Sequence, residues 1–331
     1  MYPSIVPTRV GEMKGLVLEN EKVRIVLTPE FGARILSLIY KPTETEFAWH
    51  NPQVPVGNPA YQRQHEDVSG LFECVPTCEG CTIKGRKLPM YGEVAFEPWR
   101  LVRTEKKSRS IVVKLQRKCE VYPLIVHKAL TISKNESMVV VNHRLTNLSD
   151  EVLEYHYSSH NTLQINPNYR IVLPHEVTKV KRGMAVTDRL GNLGDEIPWP
   201  IATDRNGKAV DLSKVGQPTE GVGENLYSPK LKESWAAAFN ESRREAIGFS
   251  FDSKVVPYLL VWTNWGGYLG YYHIALEPTT GRPDNLEVAV NEWKNYAALE
   301  PKAEVSWTTK IFLEHNVKHV ERVSAEKGII Q

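Results

Sequence analysis

Glu277 closes the apolar stretch His273-Ile274-Ala275-Leu276-Glu277 and is followed by Pro278-Thr279-Thr280-Gly281-Arg282-Pro283-Asp284. A strand ending in such a Pro/Gly turn would set its last side chain at the rim of a sheet, where sites are commonly carried on a rigid frame. A carboxylate there is a candidate general base. Tyr271, Tyr272 and His273 precede it, and Trp262-Thr263-Asn264-Trp265-Gly266-Gly267-Tyr268 lies just upstream. Aromatic rings beside polar side chains suit a pyranose, whose C–H face is apolar and whose hydroxyls need donors and acceptors. Trp262 and Asn264 are the candidate contacts in this stretch. The competing reading is that these rings simply fill a core.

A second element is Tyr155-His156-Tyr157-Ser158-Ser159-His160-Asn161. Strand alternation puts His156 and His160 on one face with Ser158 between them, and histidine is the side chain whose proton moves near neutral pH. A third is Leu88 to Trp99, a turn into a strand bearing Tyr91, Glu93 and Glu97. Alone, it reads as acids on an amphipathic strand. Cys74, Cys78 and Cys81 stand in a C-x3-C-x2-C spacing, with Cys119 far away. Three thiolates so spaced can hold an iron–sulfur cluster, but the helical period of the barrels that use it is missing. Zinc wants a fourth ligand, for which Cys119 or His65 would have to come close. Reduced thiols in a loop, a disulfide or zinc staple, and a redox centre are the three readings, and the first is expected.

The elements that must position these residues have a period of two. Runs at 22–27, 29–38, 110–116, 124–132, 137–145, 246–251, 258–262 and 305–313 alternate or are β-rich, and Gly, Pro, Asn and Asp break them at intervals of roughly ten residues. That pattern predicts an all-β fold, a large antiparallel sandwich. The stretch 182–229, rich in Gly, Pro and Asp, reads as an excursion between strands. The only helix-like segment is the polar tail 317–327. One domain is expected over residues 1–331.

Bulk properties exclude several classes. Apolar residues make up 41% of the 331, enough for a large core, and 41 basic against 39 acidic side chains leave a net charge of +2. Such a balance supplies no field to hold nucleic acid or an anionic membrane. The basic clusters at 106–109, 179–182 and Arg243-Arg244 read as solvated faces. No stretch approaches the ~20 apolar residues needed to cross a bilayer. The N-terminus lacks the pattern of a secretory signal, so a cytoplasmic location is expected.

Five landmarks in order resemble a known family. They are 26–38 with Pro29, Gly32 and Ala33; Gly70 to Thr77; Tyr91-Gly92-Glu93 with Pro98-Trp99; Thr146 to Ser149 ahead of His160; and Leu276-Glu277-Pro278 followed by Gly281 and Pro283-Asp284. Together, over about residues 16–313, they are similar to aldose 1-epimerases and other galactose mutarotase-like proteins. The resemblance implies a β-supersandwich, with a polar tail of about 317–331 beyond its core. It also implies Glu277 as general base and His160 as general acid, and a monosaccharide or sugar phosphate as substrate, without metal or other cofactor, in a monomer or homodimer. Tyr91, Glu93, Arg63 and Asn161 join Trp262 and Asn264 as implied sugar contacts. The family usually carries His-Gly where this chain has Tyr91-Gly92, and for the family's arginine Arg63 and Arg86 are both candidates.

The expected activity is therefore anomer interconversion by acid–base ring opening and closure. Two alternatives stand beside it: a carbohydrate-binding or sensing protein using a Trp262/Trp265 platform, and another sugar isomerase or lyase on the same scaffold.

Overall fold

The alternation seen in sequence becomes inside–outside alternation in space. In Leu124–Ser133, the side chains of Leu124, Val126, Lys128, Leu130 and Ile132 are buried while those between them are half-buried, as expected of a strand with one face on a core. The computed structural model describes residues 2–331, and its strands form two large antiparallel sheets.

The larger has 12 strands. Its centre runs Arg34–Tyr40, Leu71–Cys74, Ser158–Leu163, Tyr272–Thr279, Tyr258–Trp265 and Val222–Tyr227. The second sheet has eight strands, with Glu304–His315, Met138–Asn147 and Leu124–Ser133 adjacent at its middle. One cluster of buried side chains draws on both sheets, from Ile25, Leu38 and Leu71 to Leu130, Val141 and Ile311.

The central strands of the larger sheet lose the alternation. Ser158–Leu163 is buried at every position, and Tyr272–Thr279 at all but its first. The reason is a second cover. The face turned away from the eight-stranded sheet carries its own apolar cluster, including Phe31, Trp49, Phe72, Tyr91, Phe96 and Trp262.

An ion cluster ties the sheets together. Lys128 Nζ, from the smaller sheet, lies 2.8 Å from Glu73 Oε1 of the larger and also donates to the Ala33 carbonyl at 2.9 Å. His143 Nε2 sits 3.1 Å from the same carboxylate oxygen. All three side chains are buried.

Three sequence expectations are corrected. The tail is a strand pair, Arg322–Ser324 with Gly328–Ile330, not a helix. Val317, Val320 and Val323 have a spacing that imitates a helix, but they pack with Ile329 onto Trp235, Phe239 and Phe312 of the smaller sheet. The excursion 182–229 contains a fully buried central strand, Val222–Tyr227. Its polar members hid it: Glu224 pairs with Arg189, and Asn225 donates to Asp284 Oδ2 at 3.1 Å. Helix occurs instead at Pro59–Gln64 and in the short stretch Leu286–Val288 that continues as Ala289–Trp293. No helix among the described residues is long and apolar enough to cross a membrane.

Candidate active site

Strand register builds the centre of the site. Ser158 pairs with Thr279 and Thr162 with Ala275, which sets His160 across from Glu277; on its other side His160 pairs with Phe72. Glu277 is thus inside the sheet and 1% exposed. The strand runs on to Thr279 instead of ending at the proline, so the expected place at the rim is not observed. Pro278 has no N–H to give, and it lies where the pairing with Ser158–Leu163 lapses between Ala275 and Thr279, a ladder irregularity of the kind that admits proline.

Ser158 Oγ donates to Glu277 Oε2 at 2.9 Å, and His160 Nε2 stands 3.7 Å from Glu277 Oε1. Thr162 Oγ1, 3.0 Å from His160 Nδ1, fixes the imidazole from behind. The ring lies flat on Phe72, with centroids 4.6 Å apart and planes at 12°. It meets Tyr91 and Trp262 at their edges. His156 lies just before the strand and reaches the same acidic corner, 3.2 Å from Thr279 Oγ1 and 3.6 Å from Asp284 Oδ1.

Burial dominates the electrostatics. It lowers the His160 imidazole to about 3, helped by the charge of Arg34, and lowers His156 to about 3. Burial, then the neighbouring charge of Asp284, raises the Glu277 carboxyl well above its ordinary value, against the hydrogen bond from Ser158. Asp284 is itself raised to about 8, by burial and then by Glu79. Both shifts favour the uncharged form, a protonated Glu277 carboxyl and a neutral His160 imidazole.

Sequence reasoning missed two of these residues. Arg34 is fully buried; Nη1 donates to the carbonyls of Asp67 (2.7 Å) and Ser69 (2.8 Å), and Nη2 to that of Ala95 (3.1 Å). Its guanidinium lies 4.0 Å from the Phe72 ring centroid. Desolvation lowers it only to about 10, so it stays charged. The available signal was a lone cation inside the apolar run Phe31 to Leu38. Asp284 stood within a quoted motif, but nothing in the sequence revealed its burial against Glu277.

The expected sugar contacts divide. Tyr91 and Trp262 belong to the apolar cluster over His160. Tyr91 adopts a left-handed backbone (φ 62°) ahead of Gly92 (φ 68°), and a Cβ on Gly92 would lie 2.1 Å from the Val75 carbonyl oxygen. The others have structural partners. Glu93 accepts the backbone N–H groups of Glu120, Val121 and Tyr122, each at 2.8 Å, anchoring that turn. Asn161 donates to the Leu276 carbonyl and faces the inter-sheet space beside Glu73 and His143, because neighbours on a strand point to opposite faces. Asn264 closes its own loop through the backbone of Tyr268. Arg63 donates to the Phe96 carbonyl and pairs with Glu97, while Arg86 pairs with Glu151. Trp265, three residues from Trp262, turns into the main core, so the two indoles form no common platform.

A roof closes the site. The loop after Trp265 turns at Gly266 (φ 78°) and Gly270 (φ 70°) and brings Tyr268 and Tyr271 onto the cluster. Gln53 Nε2 latches it by donating to the Leu269 carbonyl at 2.9 Å. Trp262 Nε1, beside Tyr268 of the roof, and Asp284 Oδ1, in the acidic corner by His156, are buried without a hydrogen-bond partner among the described residues. Buried polar atoms are rarely left so.

Two other features compete poorly for chemistry. A groove of about 840 Å³ on the smaller sheet is lined by Lys114, His127, Arg144 and Thr308, but Lys114 and Arg144 are paired with Glu105 and Glu304. The four cysteines are free thiols. Cys74 and Cys78 touch at 3.5 Å, and Cys81 contacts Thr77. Among the described residues no group of three or more His, Cys, Asp and Glu is placed to hold a metal ion.

No protein-family model matches the sequence, and no curated protein does. Solved structures match by shape. One, provisionally named an aldose 1-epimerase, from Klebsiella pneumoniae, superposes with a TM-score of 0.73 at 16% identity, over 95% of this chain and 88% of that one. A galactose mutarotase-like protein from Clostridium acetobutylicum gives 0.72 at 12% identity, over 95% and 99%. A galactose mutarotase related enzyme from Lactobacillus acidophilus gives 0.63 at 14%, over 94% and 99%. Two antiparallel sheets in this order, matched over nearly the whole chain, establish that the protein has the galactose mutarotase-like fold.

Proposed function

We propose that this protein interconverts the α and β anomers of an aldose, with Glu277 as general base and His160 as general acid. The observation that carries the reading is the buried cross-strand pair itself: a carboxylate and an imidazole, 3.7 Å apart, under an aromatic roof. The names carried by the structural neighbours agree with it.

In the productive state the pair's single proton sits on His160. Sugar hydroxyls donating to the Glu277 carboxylate favour that state, because hydrogen bonds to a charged form stabilise it. Glu277 takes the proton of the anomeric hydroxyl while His160 gives its proton to the ring oxygen. The bond between C1 and the ring oxygen breaks and C1 becomes a carbonyl. After rotation about C1–C2, the same transfers run backwards and close the ring on the other face. Each group assists by ~10²–10⁴, and the pair ends with the one proton it began with.

The test is NMR exchange between anomers of common aldoses and their phosphates, with wild type and Glu277→Gln. Equal exchange by the two proteins removes the assignment. A binding or sensing role is the second reading, favoured by Tyr91, a neutral ring where the resembled family carries histidine. Sugar binding without faster exchange in the wild type would establish it.

A further inference from the structure

His273 lies on the same strand as Glu277, with Ala275 between them in the alternation, so both side chains leave the same face. It is fully buried. Trp49 and Trp262 flank its ring, with centroids at 4.6 and 4.4 Å, and Tyr271 stands farther out at 6.2 Å. Neither ring nitrogen finds a hydrogen-bond partner among the described residues. A neutral imidazole carries one N–H donor and one acceptor nitrogen, and burial makes both expensive to leave unmade. For filling space between two indoles a phenyl ring would serve better. Trp262 Nε1, on the same wall, is a third unmatched polar atom.

We propose that His273 is a substrate-reading residue that pairs, through both ring nitrogens, with two hydroxyls on an uncharged edge of the sugar, remote from the anomeric carbon. The proposal rests on the sugar pocket of the preceding section and adds its specificity determinant. Burial keeps the imidazole neutral, its pKa well below the ordinary value. A phosphate or carboxylate at this end would meet a neutral ring, whereas hydroxyls meet a donor and an acceptor.

The experiment compares wild type with His273→Phe, His273→Leu and His273→Gln. D-Glucose, D-galactose and D-glucose 6-phosphate are titrated by tryptophan fluorescence and followed by anomer exchange. A site built to hydrogen-bond a hydroxyl loses heavily when the partner is removed. Phe and Leu should weaken binding of the free sugar and raise KM at least ~10-fold, with kcat little changed and the melting temperature equal or higher. Gln, which keeps a donor and an acceptor, should restore most of the affinity. Unchanged affinity in Phe and Leu, lowered melting temperatures in both, or tighter wild-type binding of the phosphate than of the free sugar would each overturn the proposal. Sugar binding that depends on His273 without faster exchange would remove the epimerase reading and leave this one standing. No sugar binding by the wild type would remove this one.

Discussion

His160 Nε2 and Glu277 Oε1 face each other across adjacent antiparallel strands at 3.7 Å. That separation exceeds a hydrogen bond, so neither group is consumed by the other. Ser158 and Thr162 steady them from behind, which leaves the facing atoms open to a third party.

Glu277→Gln preserves size and the hydrogen bond from Ser158 but removes the proposed base. Anomer exchange should fall at least ~10²-fold, with the melting temperature unchanged or raised, since a buried ionisable group is replaced by a neutral one. Saturation-transfer NMR on a freshly characterised sugar measures the first and calorimetry the second.

His160→Gln should also cost at least ~10²-fold in exchange, and it should change acid stability. The folded imidazole titrates at about 3 against an ordinary 6.5. Between those values the unfolded chain takes up a proton that the folded chain refuses. Stability from this residue is thus complete above about 6.5 and is lost as pH falls towards 3. The variant should show a shallower decline over that window, by up to about 1.4 kcal/mol per pH unit. Urea unfolding at pH 6.5 and 5.0 compares the slopes.

Asp284→Asn tests the neighbouring acid, with the opposite sign. The folded carboxyl titrates at about 8 against 3.8, so it holds its proton where the unfolded chain releases one. The stability it contributes is complete below 3.8 and is lost as pH rises to about 8. The variant should therefore gain on the wild type as pH rises from 4 to 8. Removing its charge should also let Glu277 ionise more readily, and the acidic limb of kcat/KM should move to lower pH. A limb that stays in place would separate Asp284 from the site.

The inter-sheet cluster predicts a stability effect away from the site. Lys128→Met leaves Glu73 buried with His143 alone and should cost about 3–5 kcal/mol. Adding Glu73→Leu should recover most of that loss, because both charges are then gone. Urea unfolding of the single and double variants measures the recovery.

Much of this was legible because burial on one face writes a period of two into the chain, as in Leu124–Ser133. Where both faces are covered the pattern vanishes, and Val222–Tyr227 hid among Gly, Glu and Asn for that reason. The tail failed in the opposite way, since three valines spaced by threes imitate a helix while packing as an irregular edge. At the site, residue type and the order of landmarks put Glu277 and His160 forward as candidates, but their distance came only from register. Asn161 shows a stricter limit. It follows His160 directly in a strand, and alternation alone should have turned it away from the face that carries His160 and Glu277. Arg34 and Asp284 needed burial to be noticed, and burial of a charge is a property of the folded chain.

The hydrogen bond from Gln53 to the Leu269 carbonyl joins two loops beside the pair of Glu277 and His160, which has almost no contact with solvent. Under the proposed function a sugar would have to part that contact to enter, and its apparent dissociation constant would then be the intrinsic one divided by the fraction of time the protein stands open. A weak measured affinity would then report the thermodynamics of a loop, not the quality of the fit beneath it.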